Sequence, residues 1–110
     1  MNKGIKTVIY PVKDIGKAKA MFSTLLGIAP YADSAYYVGF KVGDQDIGLD
    51  PNGHKQGMTA YYQVDDIKAS LKSLVDGGSQ VLQEIKDVGG GRRIATVRDP
   101  EGNIIGLTQD

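Results

Sequence analysis

Val12-Lys13-Asp14-Ile15 recurs fifty-two positions later as Val64-Asp65-Asp66-Ile67, and the reading of this pair decides the fold. Each copy follows a run rich in β-branched and tyrosine residues, Ile5 to Val12 and Met58 to Val64, which predicts a strand. Each precedes a stretch with apolar residues at helical spacing. In the first, Ile15, Ala18, Met21, Phe22, Leu25 and Leu26 line one face, Asp14 is placed to cap the free amides, and Gly27 stops the helix. In the second, Ile67, Leu71, Leu74 and Val75 repeat the stripe, with Asp65 or Asp66 as cap and Gly77-Gly78 as stop. The chain is therefore read as a duplication.

Working outward, Tyr36 to Val42 and Asp46 to Asp50 predict two strands around a Gly43-Asp44 hairpin. Arg93 to Arg98 and Asn103 to Thr108 do the same around Asp99-Pro100-Glu101-Gly102, where proline presets one turn angle and glycine accepts another. Shorter strands are expected at Pro30 to Asp33 and Gln80 to Lys86. The order in each half is β-α-β-β-β, an α+β class. Asp50 to Gly57 is dense in turn residues and joins the halves without the length of a flexible linker, so residues 1–110 are read as one domain with repeats at 1–53 and 57–110. Val88-Gly89-Gly90-Gly91-Arg92 lacks the lysine and hydroxyl residue of a phosphate loop and opens no helix; a mobile loop beside a binding site is expected there.

Composition narrows the function. At 110 residues the chain can bury a core without disulfides, and its 41% hydrophobic and 24% charged content is that of a soluble globular protein. Thirteen basic residues balance thirteen acidic ones, so no general field draws in nucleic acid or an anionic membrane. There is no cysteine, which excludes thiol catalysis and thiolate metal sites and suits a reducing compartment. No apolar run reaches the roughly 18 residues of a membrane span, and the first residues lack the apolar core of a signal peptide. A cytoplasmic protein, neither exported nor anchored, is expected.

The duplicated β-α-β-β-β order, Val12-Lys13-Asp14-Ile15 before the first helix, Leu25-Leu26-Gly27 after it and Asp99-Pro100-Glu101-Gly102-Asn103 near the end together resemble the vicinal oxygen chelate superfamily. That superfamily includes glyoxalase I, extradiol dioxygenases, fosfomycin resistance enzymes and bleomycin-binding resistance proteins. The resemblance spans essentially the whole chain. It implies two modules whose curled sheets form an open, barrel-like concave cleft, commonly completed in a homodimer. It also implies a metal held by histidine and glutamate from the first and last strands of each half. Aligned on Asp14, Val64-Asp65 and the closing runs Ile47-Gly48-Leu49 and Ile105-Gly106-Leu107, those positions are Thr7, Thr59, Gly48 and Gly106. Glycine offers no donor and threonine hydroxyls are weak neutral ones, whereas a catalytic dication needs three or four nitrogen or carboxylate ligands at roughly 2.0 to 2.2 Å. No metal and no cofactor are expected. His54, the sole histidine, lies in the turn-rich connection and receives no catalytic role, and no other catalytic residue is assigned.

Side chains alternate across a strand, so fixing the ligand positions fixes their neighbours. Ile5, Thr7, Ile9 and Pro11 are expected in the cleft, with Thr59, Tyr61 and Gln63 on the matching strand. Asp46, Gly48, Asp50, Ile104, Gly106 and Thr108 follow on the closing strands, and Tyr37, Gly39 and Lys41 on the third. Ile94, Thr96 and Arg98 are placed inward with an open register. Lys41 and Asp46 are expected to pair as a surface salt bridge of little value. Arg92 is a further candidate through its forked donors. The expected ligand set is thus Thr7, Ile9, Tyr37, Lys41, Asp46, Gly48, Thr59, Tyr61, Gln63, Arg92, Ile104 and Gly106, with the bulk of a small, planar or partly aromatic organic molecule over the two glycines. Metal-independent binding similar to that of antibiotic-sequestering resistance proteins is the leading expectation. The alternatives are an enzyme of the same superfamily, either with an unconventional metal site built from Asp46, Asp50 and water or as a metal-free lyase or isomerase with Glu84 or Asp87 as carboxylate base, and a ligand-responsive regulatory module.

Overall fold

Both helices begin at an aspartate and end at a glycine, which fixes the spacing of everything that follows. The computed structural model describes residues 2–52 and 57–110, so His54 lies outside the described residues. Helix α1 (Ile15–Leu26) is capped by Asp14, whose carboxylate accepts the Lys17 amide at 3.0 Å, and closes at Gly27 in the left-handed region, φ 71°. Helix α2 (Ile67–Asp76) is capped by Asp66, which accepts the Ala69 amide at 3.1 Å. Asp65 is thereby released to pair with Lys3 at 3.2 Å. A second acceptor at this end, unforeseen in the sequence, is the Gln109 side-chain oxygen, 2.7 Å from the Ile67 amide.

The remaining elements are β1 (Asn2–Pro11), β2 (Ala32–Asp33), β3 (Val38–Val42), β4 (Gln45–Asp50), β5 (Thr59–Val64), β6 (Gln80–Asp87), β7 (Arg93–Arg98) and β8 (Ile104–Gln109). The class is α+β, in two β-α-β-β-β modules. The chain divides into two compact units, Thr7–Thr59 and Ala60–Asp110, the latter including β1 up to Lys6. In the first unit β1 runs parallel to β4, and β3 joins β4 and β2 antiparallel. In the second, β5 runs parallel to β8, and β7 joins β8 and β6 antiparallel. Among the described residues no helix is long and apolar enough to cross a membrane.

Each unit packs its helix on one sheet face. Phe22 of α1 meets Val38, Phe40 and Leu49, with Tyr10 stacked at a tilt on Phe22 at a ring separation of 5.0 Å. Ile67 and Leu71 of α2 meet Val64, Ala95, Val97 and Leu107. The open register of β7 is settled by Ala95 and Val97, both fully buried. The helical stripes are narrower than expected, because Met21, Leu25 and Val75 lie in solvent at 53, 67 and 43% exposure. Ile15, Ala18, Phe22 and Leu26 follow the 3.6-residue period onto the sheet, and Met21 and Leu25 fall one position around the helix from it.

Two local expectations change. Tyr36 and Tyr37 precede β3 instead of opening it, since the Ser34 hydroxyl accepts both their amides at 3.2 and 3.1 Å and folds them into a turn. The Gly89-Gly90-Gly91 run is a tight turn between β6 and β7, closed by Val88 to Arg92 and Arg92 to Gly89 backbone bonds of 2.9 and 3.1 Å. All three glycines have positive φ, from 64 to 98°, which this turn requires.

Candidate functional site

In each unit, the residues predicted for binding that lie within strands fall on the sheet face turned away from the helix, as strand parity demands, while Tyr37 and Arg92 lie in the turns just before β3 and β7. In Thr7–Thr59, Thr7, Asp46 and Lys41 form one cross-strand row, and Ile9, Gly48 and Gly39 form the next. Thr7 and Asp46 are buried. Lys41 Nζ stands 3.7 Å from Asp46 Oδ1, and the Asp46 side chain is only 3% exposed, so the pair is half-buried and not the surface bridge expected. A carboxylate so enclosed depends on its cation far more than an exposed one does.

The glycine row is roofed. A Cβ on Gly39 would stand 3.0 Å from both Tyr31 Cζ and Tyr37 Cε2. One on Gly48 would collide with the Tyr37 hydroxyl and lie 2.5 Å from Ile9 Cδ1. The Tyr37 ring therefore reaches from the Ser34 turn, just before β3, across to β4. Tyr31, which donates its amide to the Gly39 carbonyl at 2.9 Å, is a neighbour the sequence reading missed. It falls in an aperiodic stretch after Gly27, where no parity argument reaches.

The second unit repeats the device with different partners. Tyr61, Gly106 and Thr96 form one row, Gln63, Thr108 and Ile94 the next, and Ile104 pairs with Arg98. A Cβ on Gly106 would strike Tyr61 Cδ2 and lie 2.6 and 2.7 Å from its Cγ and Cε2. Gln63 Nε2 and Arg92 Nε both donate to the Asp110 carboxylate, at 3.4 and 2.9 Å. Asp110 was not foreseen, because it follows the last strand-like residues. Thr59 opens β5 and is buried. Thus Thr7, Ile9, Tyr37, Lys41, Asp46 and Gly48 share one face, and Tyr61, Gln63, Arg92, Ile104 and Gly106 belong to the other unit.

Room over the two glycines was expected to admit a ligand; tyrosine side chains fill it instead. The same fact tests the metal that the resemblance implies. Thr7, Gly48, Thr59 and Gly106 supply neither charge nor nitrogen, and the directions in which side chains at Gly48 and Gly106 would project are occupied by Tyr37 and Tyr61. Among the described residues no three histidine, aspartate or glutamate side chains come together as a metal site. The residues present do not fit the metal. The carboxyls held below their ordinary value are Asp65, through its hydrogen bond to Lys3, and Asp99, through the Asn103 side chain, and neither belongs to these rows.

Residues 4–107 match the family model described as Glyoxalase/Bleomycin resistance protein/Dioxygenase superfamily. The chain belongs to that superfamily. Among curated members it is similar to "Putative glyoxylase CFP32" of Mycobacterium tuberculosis (strain CDC 1551 / Oshkosh), 36% identical over 63 residues, which is 54% of this chain and 24% of that protein. The match thus spans about a quarter of the relative's length. Solved members of the superfamily fold share the architecture at low identity. The Mn(II)-bound glyoxalase from Novosphingobium aromaticivorans superposes with a TM-score of 0.79 at 20% identity, over 100% of this chain and 40% of that one. Methylmalonyl-CoA epimerase from Mycobacterium tuberculosis gives 0.77 at 18% identity, over 98 and 88%.

Proposed function

We propose that this member of the glyoxalase/bleomycin resistance superfamily binds a small, planar organic molecule on its helix-free sheet faces, without a metal. The observation that carries this reading is the tyrosine placed over each glycine, Tyr37 over Gly48 and Tyr61 over Gly106. Where a metal site would need a charged side chain, the chain presents an aromatic surface, which suits stacking and apolar contact. Thr7, Ile9, Lys41, Asp46, Thr59, Gln63, Arg92 and Ile104 complete the proposed ligand set. Sequestration of an antibiotic-like compound in the cytoplasm by a homodimer is the fuller form of the proposal.

The test joins elemental analysis of protein purified without chelator to a thermal-shift screen of planar aromatic compounds and a sedimentation measurement. The reading expects no stoichiometric transition metal, stabilisation by at least one planar class, and a dimer. A bound metal at one equivalent overturns it. A second reading, a lyase or isomerase, is favoured by the likeness to a relative whose name includes glyoxylase. Turnover of a glutathione-aldehyde hemithioacetal that survives chelator and is lost in Tyr61→Phe or Tyr37→Phe supports that reading over binding alone.

A further inference from the structure

One buried polar atom on the face of Ala60–Asp110 has no hydrogen-bond partner among the described residues. The Thr108 hydroxyl belongs to a residue 2% exposed and makes no hydrogen bond among the described residues. Buried hydroxyls are nearly always bonded, so an orphan points to a partner that arrives from outside. Leu107 packs in the core, so by alternation Thr108 projects to the helix-free face. Its row neighbours are Gln63 on β5 and Ile94 on β7. Along β8 it stands roughly 6.5 Å from Gly106, the glycine roofed by Tyr61.

Beyond Thr108, two donors from separate parts of the chain converge on one carboxylate. Arg92 Nε reaches Asp110 Oδ1 at 2.9 Å, and Gln63 Nε2 reaches Oδ2 at 3.4 Å. The Asp110 side chain is 51% exposed while that of Arg92 is 32% exposed, so the acceptor has the freer access to water. A cation and an amide arranged around a carboxylate, next to an unsatisfied hydroxyl and an aromatic ring, have the composition of a site for an organic acid.

We propose that this end of the sheet face binds the carboxylate of a small planar acid, and that Asp110 is an internal stand-in which the ligand displaces. The inference rests on the binding reading above and names the ligand class for it. In the exchange, Asp110 turns into solvent, the ligand's carboxylate takes the Arg92 and Gln63 donors, the Thr108 hydroxyl gains its missing bond, and the ring lies along Tyr61. Charge is conserved at Arg92, since one carboxylate replaces another. An uncharged ligand would break the Arg92–Asp110 pair and return nothing to the guanidinium, so the site discriminates acids from their amides.

Benzoate and benzamide form the matched probes, titrated by calorimetry and by NMR of the Arg92 side-chain Nε–H. Benzoate is expected to bind at least about tenfold more tightly than benzamide, a gap that one charge-assisted hydrogen bond supports. Asp110→Ala removes the internal competitor and tightens benzoate roughly two- to fivefold, the worth of an exposed ion pair. Thr108→Val weakens benzoate but leaves the unliganded protein as stable or more so, because it deletes an unsatisfied polar atom, an outcome that a structural role for the hydroxyl does not give. Arg92→Gln erases the preference for acid over amide. Equal binding of the two probes with the Arg92 resonance unmoved, or weaker benzoate binding in Asp110→Ala, overturns the carboxylate site while leaving small-molecule binding intact. Failure of both probes and of every neutral aromatic overturns the binding reading with it.

Discussion

Replacing Gly106 with alanine adds a single methyl group, and the structure fixes the sign of its effect. Gly106 is not among the glycines with positive φ, so its backbone accepts alanine, and a compatible glycine-to-alanine change ordinarily stabilises by about 0.4 to 1 kcal/mol through the unfolded chain. Here the new Cβ meets Tyr61 Cδ2, with Cγ at 2.6 Å and Cε2 at 2.7 Å. Restoring an ordinary carbon contact of about 3.5 Å requires the ring to retreat by about 1 Å. Cγ is the root of the ring and cannot swing aside without turning the whole side chain, so strain of about 1 to 3 kcal/mol is expected. The net loss is up to about 2.5 kcal/mol, or a fall of up to roughly 10 °C in Tm for a domain of this size. Urea denaturation followed by far-ultraviolet circular dichroism measures it, tryptophan being absent from the chain. In the Tyr61→Ala background the same substitution should become stabilising, giving a coupling of about 1 to 3 kcal/mol across the cycle. Gly48→Ala should be milder, because its obstacles are the tip of Tyr37 and the terminal methyl of Ile9, which can yield by small rotations. If Gly106→Ala raises stability with Tyr61 present, or the coupling is near zero, the Tyr61 ring does not rest on the glycine.

Further outcomes follow from other contacts. Lys41→Ala strips the cation from a carboxylate 3% exposed and should cost about 1 to 3 kcal/mol, with Lys41→Ala/Asp46→Asn recovering part of it; equal stability of Lys41→Ala and the parent refutes the pairing. Gln109→Ala leaves the Ile67 amide without its acceptor and should lower stability by about 1 kcal/mol, read as a shifted urea midpoint with an unchanged slope. Asp99 titrates below its ordinary value of 3.8 in the folded chain, first through the Asn103 side chain and then through the Asn103 amide. A lowered folded pKa contributes stability that is present above the unfolded value and is lost as pH falls through the folded one. Asn103→Ala should therefore be less stable than the parent at neutral pH, and the gap should narrow as acid protonates Asp99 in both; a gap constant with pH refutes this.

The elements were legible because their signals are local. Asp14 and Asp66 cap the helices within three residues, Gly27 closes α1, and alternation along β4, β7 and β8 sorts core from face correctly for Leu49, Ala95, Val97 and Leu107. Period failed only where a wide apolar stripe had more members than the sheet could bury, as at Met21 and Leu25. The candidate faces were legible by parity but not by contact. Nothing in the sequence says that Tyr37 leans over Gly48 in place of leaving it open, because that depends on the Ser34 turn and on which residues face one another across strands. Asp110 and Tyr31 lay outside any periodic segment, so no rule of alternation could assign them.

The tyrosine and glycine at each floor position also constrain which substitutions the face accepts. A carboxylate introduced at Gly106 while Tyr61 remains has no room, and a smaller residue introduced at Tyr61 while Gly106 remains leaves a bare hole with no new donor. Each single step is unfavourable, and only the paired change reaches a residue capable of holding a cation. The two residues therefore act as a unit: a larger side chain at Gly106 in β8 needs a matching change at Tyr61 in β5, whereas at Gly48 the tip of Tyr37 and the Ile9 methyl can yield.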